Sequence, residues 1–297
     1  GGLEGGGGHG EEGGEEEDEG EGEDVEVQRR CAEEALTKRV DVMLKAATGL
    51  LQMLTVFKNE VAPCIPPEYG AVAIFVSTLE SKITGTMEHF VESKISRFDV
   101  SDLLRLVDWF VYFVAQMGVF DCGDRAVCER FNNLSSELMN EYLTRIKQQV
   151  LGWFENIKRQ QAEATFLNET KEGYLHTSAP EDMFNIIHLQ LAVAEEKLPK
   201  EHLQAVVNAC IQVLREVQRD MYDRMVKDWR IMEVENLAAA VNDNQRLHDK
   251  CDEFAEEVAS LVPDLDFQSL LLEMLEEVSG EFIQLALTAV SFLARSV

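Results

Sequence analysis

An all-α fold, drawn out into an elongated rod of stacked long-helix bundles, is predicted by three features of this sequence. Apolar residues recur at alternating three- and four-residue steps over most of the chain, which aligns them on one face of a helix. All six prolines fall between those periodic runs or at their first turns. No run shows the sustained two-residue alternation of a strand flanked by hairpin turns.

The first helical stripe runs Leu36, Val40, Met43, Ala47, Leu50, Leu54, Phe57 and Val61. It stops at Ala62-Pro63-Cys64-Ile65-Pro66-Pro67, where prolines remove backbone donors and push the preceding residues away from helical angles. A second helix is expected from Glu68 to about Glu92, with Val76, Leu79, Ile83, Met87 and Phe90 inward. Asp99 and Asp102 bracket a cap for a third helix carrying Leu103, Leu104, Val107, Phe110 and Val114 and ending near Gly118. Its cluster Trp109, Phe110, Tyr112 and Phe113 covers more than one face, as expected of a helix buried on several sides.

After Asp121-Cys122-Gly123-Asp124 a long helix carries Phe131, Leu134, Leu138, Tyr142, Ile146, Val150, Trp153 and Ile157 on one stripe. Periodicity then breaks from Asn168 to Pro180, read as a loop, before a shorter helix with Phe184, Ile187, Leu191 and Leu198. Pro199 suits the first turn of the next helix, because its missing donor would be an orphan there. The stripe from Leu203 through Cys210, Val217 and Met225 to Met232 predicts the longest helix of all. A kink or short break is expected at Val234–Asn236, and Pro263-Asp264 separates the last helix, which carries Phe267, Leu271, Val278, Phe282 and Phe292.

Helices of about thirty to forty residues are roughly 45–60 Å long, more than a compact domain of this size is wide. Hence the rod. Residues 1–24 hold eleven of the 19 glycines, eleven acids and no Lys or Arg, the composition of a disordered acidic linker. Two bundles are expected to follow, over 25–175 and 176–297. The chain begins at Gly1 and stops inside an apolar periodic run, so a fragment truncated at the C-terminus is the expectation.

The formal net charge is -28, and removing the linker leaves -17 on the remaining 273 residues. Nucleic acid is therefore not an expected partner, since phosphate binding depends on clustered Lys and Arg. Docking of the whole surface on anionic lipid is disfavoured for the same reason, although a local basic patch would be compatible with the balance. The most continuous apolar run, Val107 to Phe120, is interrupted by Asp108 and Gln116 and is too short for a bilayer, so no transmembrane insertion is expected.

Catalytic patterns are missing as well. There is no Glu-x-x-His pair for a bundle metal site, no His-Glu-x-x-His, no Gly-x-Ser-x-Gly and no Cys-x-x-Cys. Cys122 and Cys128, six apart, suit packed thiols better than a redox or zinc pair. Met221, Met225 and Met232 share the stripe of Val213 and Val217 and read as core more readily than as a peptide groove. No enzyme activity, metal or cofactor is expected.

Four stretches, in order, resemble the exocyst complex component 3 family, a helical-rod subunit of the tether that holds secretory vesicles at the plasma membrane. The first is Val61-Ala62-Pro63-Cys64-Ile65-Pro66-Pro67-Glu68-Tyr69, similar to the family's Ala-Pro-x-aromatic-Pro-Pro-x-Tyr junction, with Ile65 where an aromatic is usual. The second is Tyr142 to Ile157, with Trp153 in a setting like the family's lysine-tryptophan helix. The third, Glu172 to Phe184, is similar to the family's Glu-Gly-x-Leu-x-Thr loop and Asp-x-Phe helix start, through Gly173, Leu175, Thr177, Asp182 and Phe184. The fourth, Val241 to Asp249, resembles an Asn-x-Asn-x-Arg-x-x-Asp run, through Asn242, Asn244 and Arg246.

This resemblance implies a cytoplasmic, non-enzymatic subunit recruited peripherally to sites of secretion on the plasma membrane. Other exocyst subunits and SNARE proteins are its implied partners, with small GTPases acting indirectly. Two other readings stand beside it: a related cytosolic helical scaffold not assembled into the exocyst, and a helical-bundle metalloenzyme, for which the ligand spacing is lacking.

Overall fold

The computed structural model describes residues 19–119, 125–163 and 167–296. Among these are eight α-helices and a hairpin of two two-residue strands, so the fold is all-α. Helix α1 spans Glu19–Val56, α2 Ala71–Lys94, α3 Val100–Val119 and α4 Arg125–Glu163. After strands β1 (Asn168–Glu169) and β2 (Leu175–His176) come α5 Ala179–Lys197, α6 Lys200–Asp228, α7 Val234–Leu261 and α8 Leu265–Ser296. Helix α4, with 39 residues, is about 58 Å long, against roughly 50 Å for the width of a compact globule of this chain length. The bundles are accordingly drawn out along their helices into a rod.

Four expectations are corrected. Helix α1 begins at Glu19, inside the stretch 1–24 read as linker; glutamate is a good helix former, and only two of those six residues are glycine. The longest helix is α4, not α6, because the chain leaves helical geometry at Trp229 and restarts at Val234. That break precedes the weak-phase segment 234–236, which is already helical. The segment read as a plain loop contains the β1–β2 hairpin, too short to show an alternation.

Local chemistry explains the junctions. At the end of α1 the Ala62 amide donates to the Phe57 carbonyl five residues back, and the chain widens into a π turn at Phe57–Val61 just ahead of Pro63. Two 3-10 turns follow, at Ala62–Cys64 and Pro67–Tyr69, each with a proline in its first positions. Gly70, at φ 56°, then reverses the chain into α2, and the rings of Phe57 and Phe75 stack 4.3 Å apart across the junction. At the start of α3 the Asp99 carboxylate accepts the Asp102 amide at 2.6 Å, the cap expected from the sequence. Asp264 similarly accepts the amides of Asp266 and Phe267 ahead of α8, and Gln268 donates to the carbonyls of Ala259 and Val262 at the end of α7.

One apolar cluster runs from Leu36 to Phe282 and continues past residue 175 through α4, α5 and α6. Trp109, Phe110 and Phe113 are buried around Phe131, while Tyr112 is exposed, so the aromatic helix is covered on all but one side. Polar clamps hold the first four helices in register. Asp102 accepts Thr37 Oγ1 and Arg105, Arg105 also bonds Asp41, and Trp109 Nε1 donates to Thr48. Arg145 of α4 reaches the carbonyls of Phe98 and Ile95. A smaller cluster of Met225, Leu237, Leu285, Ala289 and Phe292 closes the other end, with Trp229 stacked flat on Phe292 at 4.7 Å.

By length and composition alone, the stretches Arg30–Cys64 and Leu265–Ser296 are apolar enough to cross a bilayer, which a search for unbroken apolar runs misses. Both put a stripe into the core: Val40, Leu51 and Leu54 from α1, and Leu271, Leu275, Val278 and Phe282 from α8. Their apolarity is used for packing here. Only 22% of the α1 window is buried, however, against 39% for α8.

Candidate functional site

The densest set of long-range polar contacts joins the β1–β2 hairpin to α7. The hairpin is closed by the Thr170 amide donating to the Tyr174 carbonyl at 2.9 Å and the Gly173 amide donating to the Thr170 carbonyl at 3.0 Å. Gly173 sits at φ 88°, a left-handed conformation strained for any residue with a Cβ. This turn delivers Leu175, His176 and Thr177 to the helix face formed by Asn242, Asp243 and Arg246, where Arg246 lies four residues after Asn242 and three after Asp243 and so neighbours both.

The polar groups there pair across the junction, apart from Glu181 Oε2, which is buried without a hydrogen-bond partner. Asn242 Nδ2 donates to the Leu175 carbonyl at 2.7 Å. Both Asp243 oxygens are occupied, Oδ1 by the Thr177 amide at 2.8 Å and Oδ2 by the Thr177 hydroxyl at 2.6 Å. Thr177 Oγ1 in turn accepts the Ala179 amide at the start of α5. Arg246 donates to Glu181 in the first turn of α5 at 2.6 Å and to His176 Nδ1 at 2.5 Å. Donation by Arg246 requires Nδ1 to carry no proton, so the 3.0 Å approach of that nitrogen to the Thr177 carbonyl is not simultaneously a hydrogen bond.

The set fastens the hairpin to α7 and to the start of α5. Burial, the largest influence, raises the Asp243 carboxyl above the ordinary carboxylate range, while the two Thr177 hydrogen bonds and the charge of Arg246 act in the opposite direction. Thr177 engages both oxygens of this carboxylate, and Asp243 also borders the adjoining cleft. Beside it lies a cleft of about 330 Å³ between α4, α5, α6 and α7, lined by Phe154, Met183, Met221, Met225 and Met232, with Arg224 and Asp228 also on its wall. The methionines read as core thus do two things: Met225 is buried, and all three border this cleft. Among the described residues, no three His, Cys, Asp or Glu side chains converge to hold a metal ion. The buried thiols of Cys210 and Cys251 are pushed up to about 12 by burial, which keeps them protonated and unreactive. Cys122 lies outside the described residues.

A polar latch thus ties an interhelical hairpin to a later helix of the rod. The family model for exocyst complex component Sec6 matches residues 23–297. The chain belongs to the Sec6 family. Sec6-family proteins are subunits of the exocyst, a vesicle-tethering assembly, and the family is one of scaffolds and not of enzymes. No solved structure matches this chain.

In this Sec6-family chain the third and fourth sequence motifs form one site. Leu175 and Thr177 from the third meet Asn242 and Arg246 from the fourth, and Gly173 makes the turn that permits it. Phe184, fully buried, packs its edge on Phe254 of α7 just beyond the latch, and the Asp182 amide closes the first turn of α5 onto the Ser178 carbonyl. Asn244 is buried but turned away, donating to the Ala240 carbonyl on its own helix. The other two motifs lie elsewhere. Pro63, Pro66, Pro67 and Tyr69 shape the α1–α2 junction, where Tyr69 is exposed, and Trp153 is half-buried against the core on α4.

Three members of the latch are absent from the sequence-based set: Asp243, His176 and Glu181. Each lies within one or two residues of a motif position. The only available signal was that Asp243 shares a helix face with Asn242 and Arg246; its pairing with Thr177, 66 residues earlier, has no trace in local pattern.

Proposed function

We propose that this chain is the helical-rod region of exocyst complex component 3, a non-enzymatic subunit that helps tether and dock secretory vesicles at the plasma membrane before SNARE-mediated fusion. The observation that carries this reading is the family match over nearly the whole described chain, 23–297, on a fold of long packed helices. Such a protein works by geometry. Long helices supply reach, latches such as Thr177–Asp243 keep successive helices in one alignment, and exposed faces remain for partners. Other exocyst subunits are the proposed direct partners, SNARE proteins further ones, and small GTPases act through the assembly. The proposed location is cytoplasmic, with peripheral recruitment to plasma-membrane sites of secretion.

Affinity purification of the full-length protein from secretory cells tests the reading. Recovery of the other exocyst subunits in stoichiometric amount is expected. A folded bait that recovers none of them would contradict it and point to a cytosolic scaffold working outside the exocyst.

A further inference from the structure

Helix α1 carries a second apolar stripe on the side turned away from the core. Val40, Ala47, Leu51 and Leu54 are buried against α2 and α3. Two positions after each of them stand Val42, Gly49, Met53 and Val56, about 200° round the helix and therefore on its opposite face. With Ala46 they step by four, three, four and three residues, the spacing of a coiled-coil seam. Val42 is 67% exposed, Met53 58% and Val56 51%. Ala46 and Gly49 in the middle of the stripe would let a neighbouring helix approach closely, and nothing lies within 4 Å of where a Cβ on Gly49 would stand.

Charge identifies what fits. In a chain of net charge -28, the stretch from Ala35 to Asn59 holds a single acid, Asp41, and that carboxylate is bonded by Arg105 of α3. Lys38 and Lys45, both exposed, flank the outer stripe seven residues apart, and Arg39 lies beside it over the Phe90 ring. We propose that this outer face of α1 is a docking site for an amphipathic helix of another protein, one that carries acidic residues beside its own apolar seam. Acidic flanks on the partner would meet the Lys38–Lys45 row in the way that flanking charges select coiled-coil partners. A second copy of this chain does not fit, because pairing the same faces sets cations against an acid-free surface. An anionic bilayer fits less well, because the rest of the chain is strongly acidic. The proposal stands on α1 alone and is independent of the tethering role.

The test uses the full chain and two fluorescent four-heptad peptides with the same leucine seam, one flanked by Glu and the other by Lys. Like charges keep each peptide from pairing with itself. The Glu peptide is expected to bind about tenfold or more tightly than the Lys peptide, and to protect amides of α1 between Val42 and Val56 from exchange. The double substitution Val42→Asp, Met53→Asp should abolish binding while leaving the thermal transition unchanged. Lys38→Glu with Lys45→Glu should reverse the preference between the peptides. Equal affinity for both peptides, no binding of either, or indifference to the double substitution would overturn the proposal. So would binding to vesicles of phosphatidylcholine and phosphatidylserine in a three-to-one ratio, or self-association of the chain, if either is lost in the Val42→Asp, Met53→Asp variant.

Discussion

Asp243 shows how much one side chain does in this rod. It is buried, and it accepts both polar hydrogens of Thr177 across 66 residues of chain. Truncation in Asp243→Ala leaves a backbone amide and a hydroxyl without their acceptor, so a loss of about 1–3 kcal/mol is expected in denaturant unfolding. Asp243→Asn keeps one acceptor for the Thr177 amide and can donate to the hydroxyl, and should cost clearly less. The pH dependence has a definite sign. Burial raises the folded-state pKa, so from the ordinary carboxylate value near 4 up to the raised one the folded protein binds more protons than the unfolded chain. The proton-linked part of the Asp243 contribution is therefore fully present below that window and is lost as pH rises through it, while the hydrogen bonds to Thr177 persist. Unfolding curves of Asp243→Asn across the same window should lack this loss. At Phe184, buried against Phe254, a change to alanine should remove about 3–5 kcal/mol through lost packing and the cavity left behind. Arg246→Ala is expected to matter little, under about 1 kcal/mol, because its pair with Glu181 is partly exposed.

At the scale of elements, turns decide where the helices meet. Gly173 holds φ 88°, and Gly173→Ala should cost about 1–2 kcal/mol by forcing a side chain into left-handed geometry. Its effect should be local: faster hydrogen exchange at the Thr170 and Gly173 amides and at Thr177, with α1 to α3 unchanged. Helices were largely legible from sequence because each buries one stripe, and a stripe such as Phe131, Leu138, Tyr142 and Ile146 states its own period. Breaks that carry proline were legible too, at Pro63, Pro199 and Pro263. The break at Trp229–Glu233 was not, since no proline or glycine marks it and the apolar stripe runs through it to Met232. The hairpin was invisible because two-residue strands contain no alternation to detect. Within the latch, the family resemblance picked out Thr177, Asn242 and Arg246 one by one, but only the tertiary fold shows that they touch.

At the scale of the whole molecule, a main apolar core and a smaller terminal cluster join the helices, of which α1 and α4 are longer than a compact globule of this chain length is wide. Arg145 clamping two carbonyls, Trp109 bonded to Thr48, and the latch on α7 each lock one helix against another. Long levers fixed in this way transmit position without chemistry, which is the requirement on a tether subunit. The central claim is that the chain is a stiff, extended helical rod, and small-angle X-ray scattering of the chain begun at Glu19 tests it most directly. A compact protein of that length has a radius of gyration of about 19 Å. The rod requires a value well above this, with a cross-section plot linear in the rod regime. A radius near 19 Å with a symmetric pair-distance distribution would contradict it.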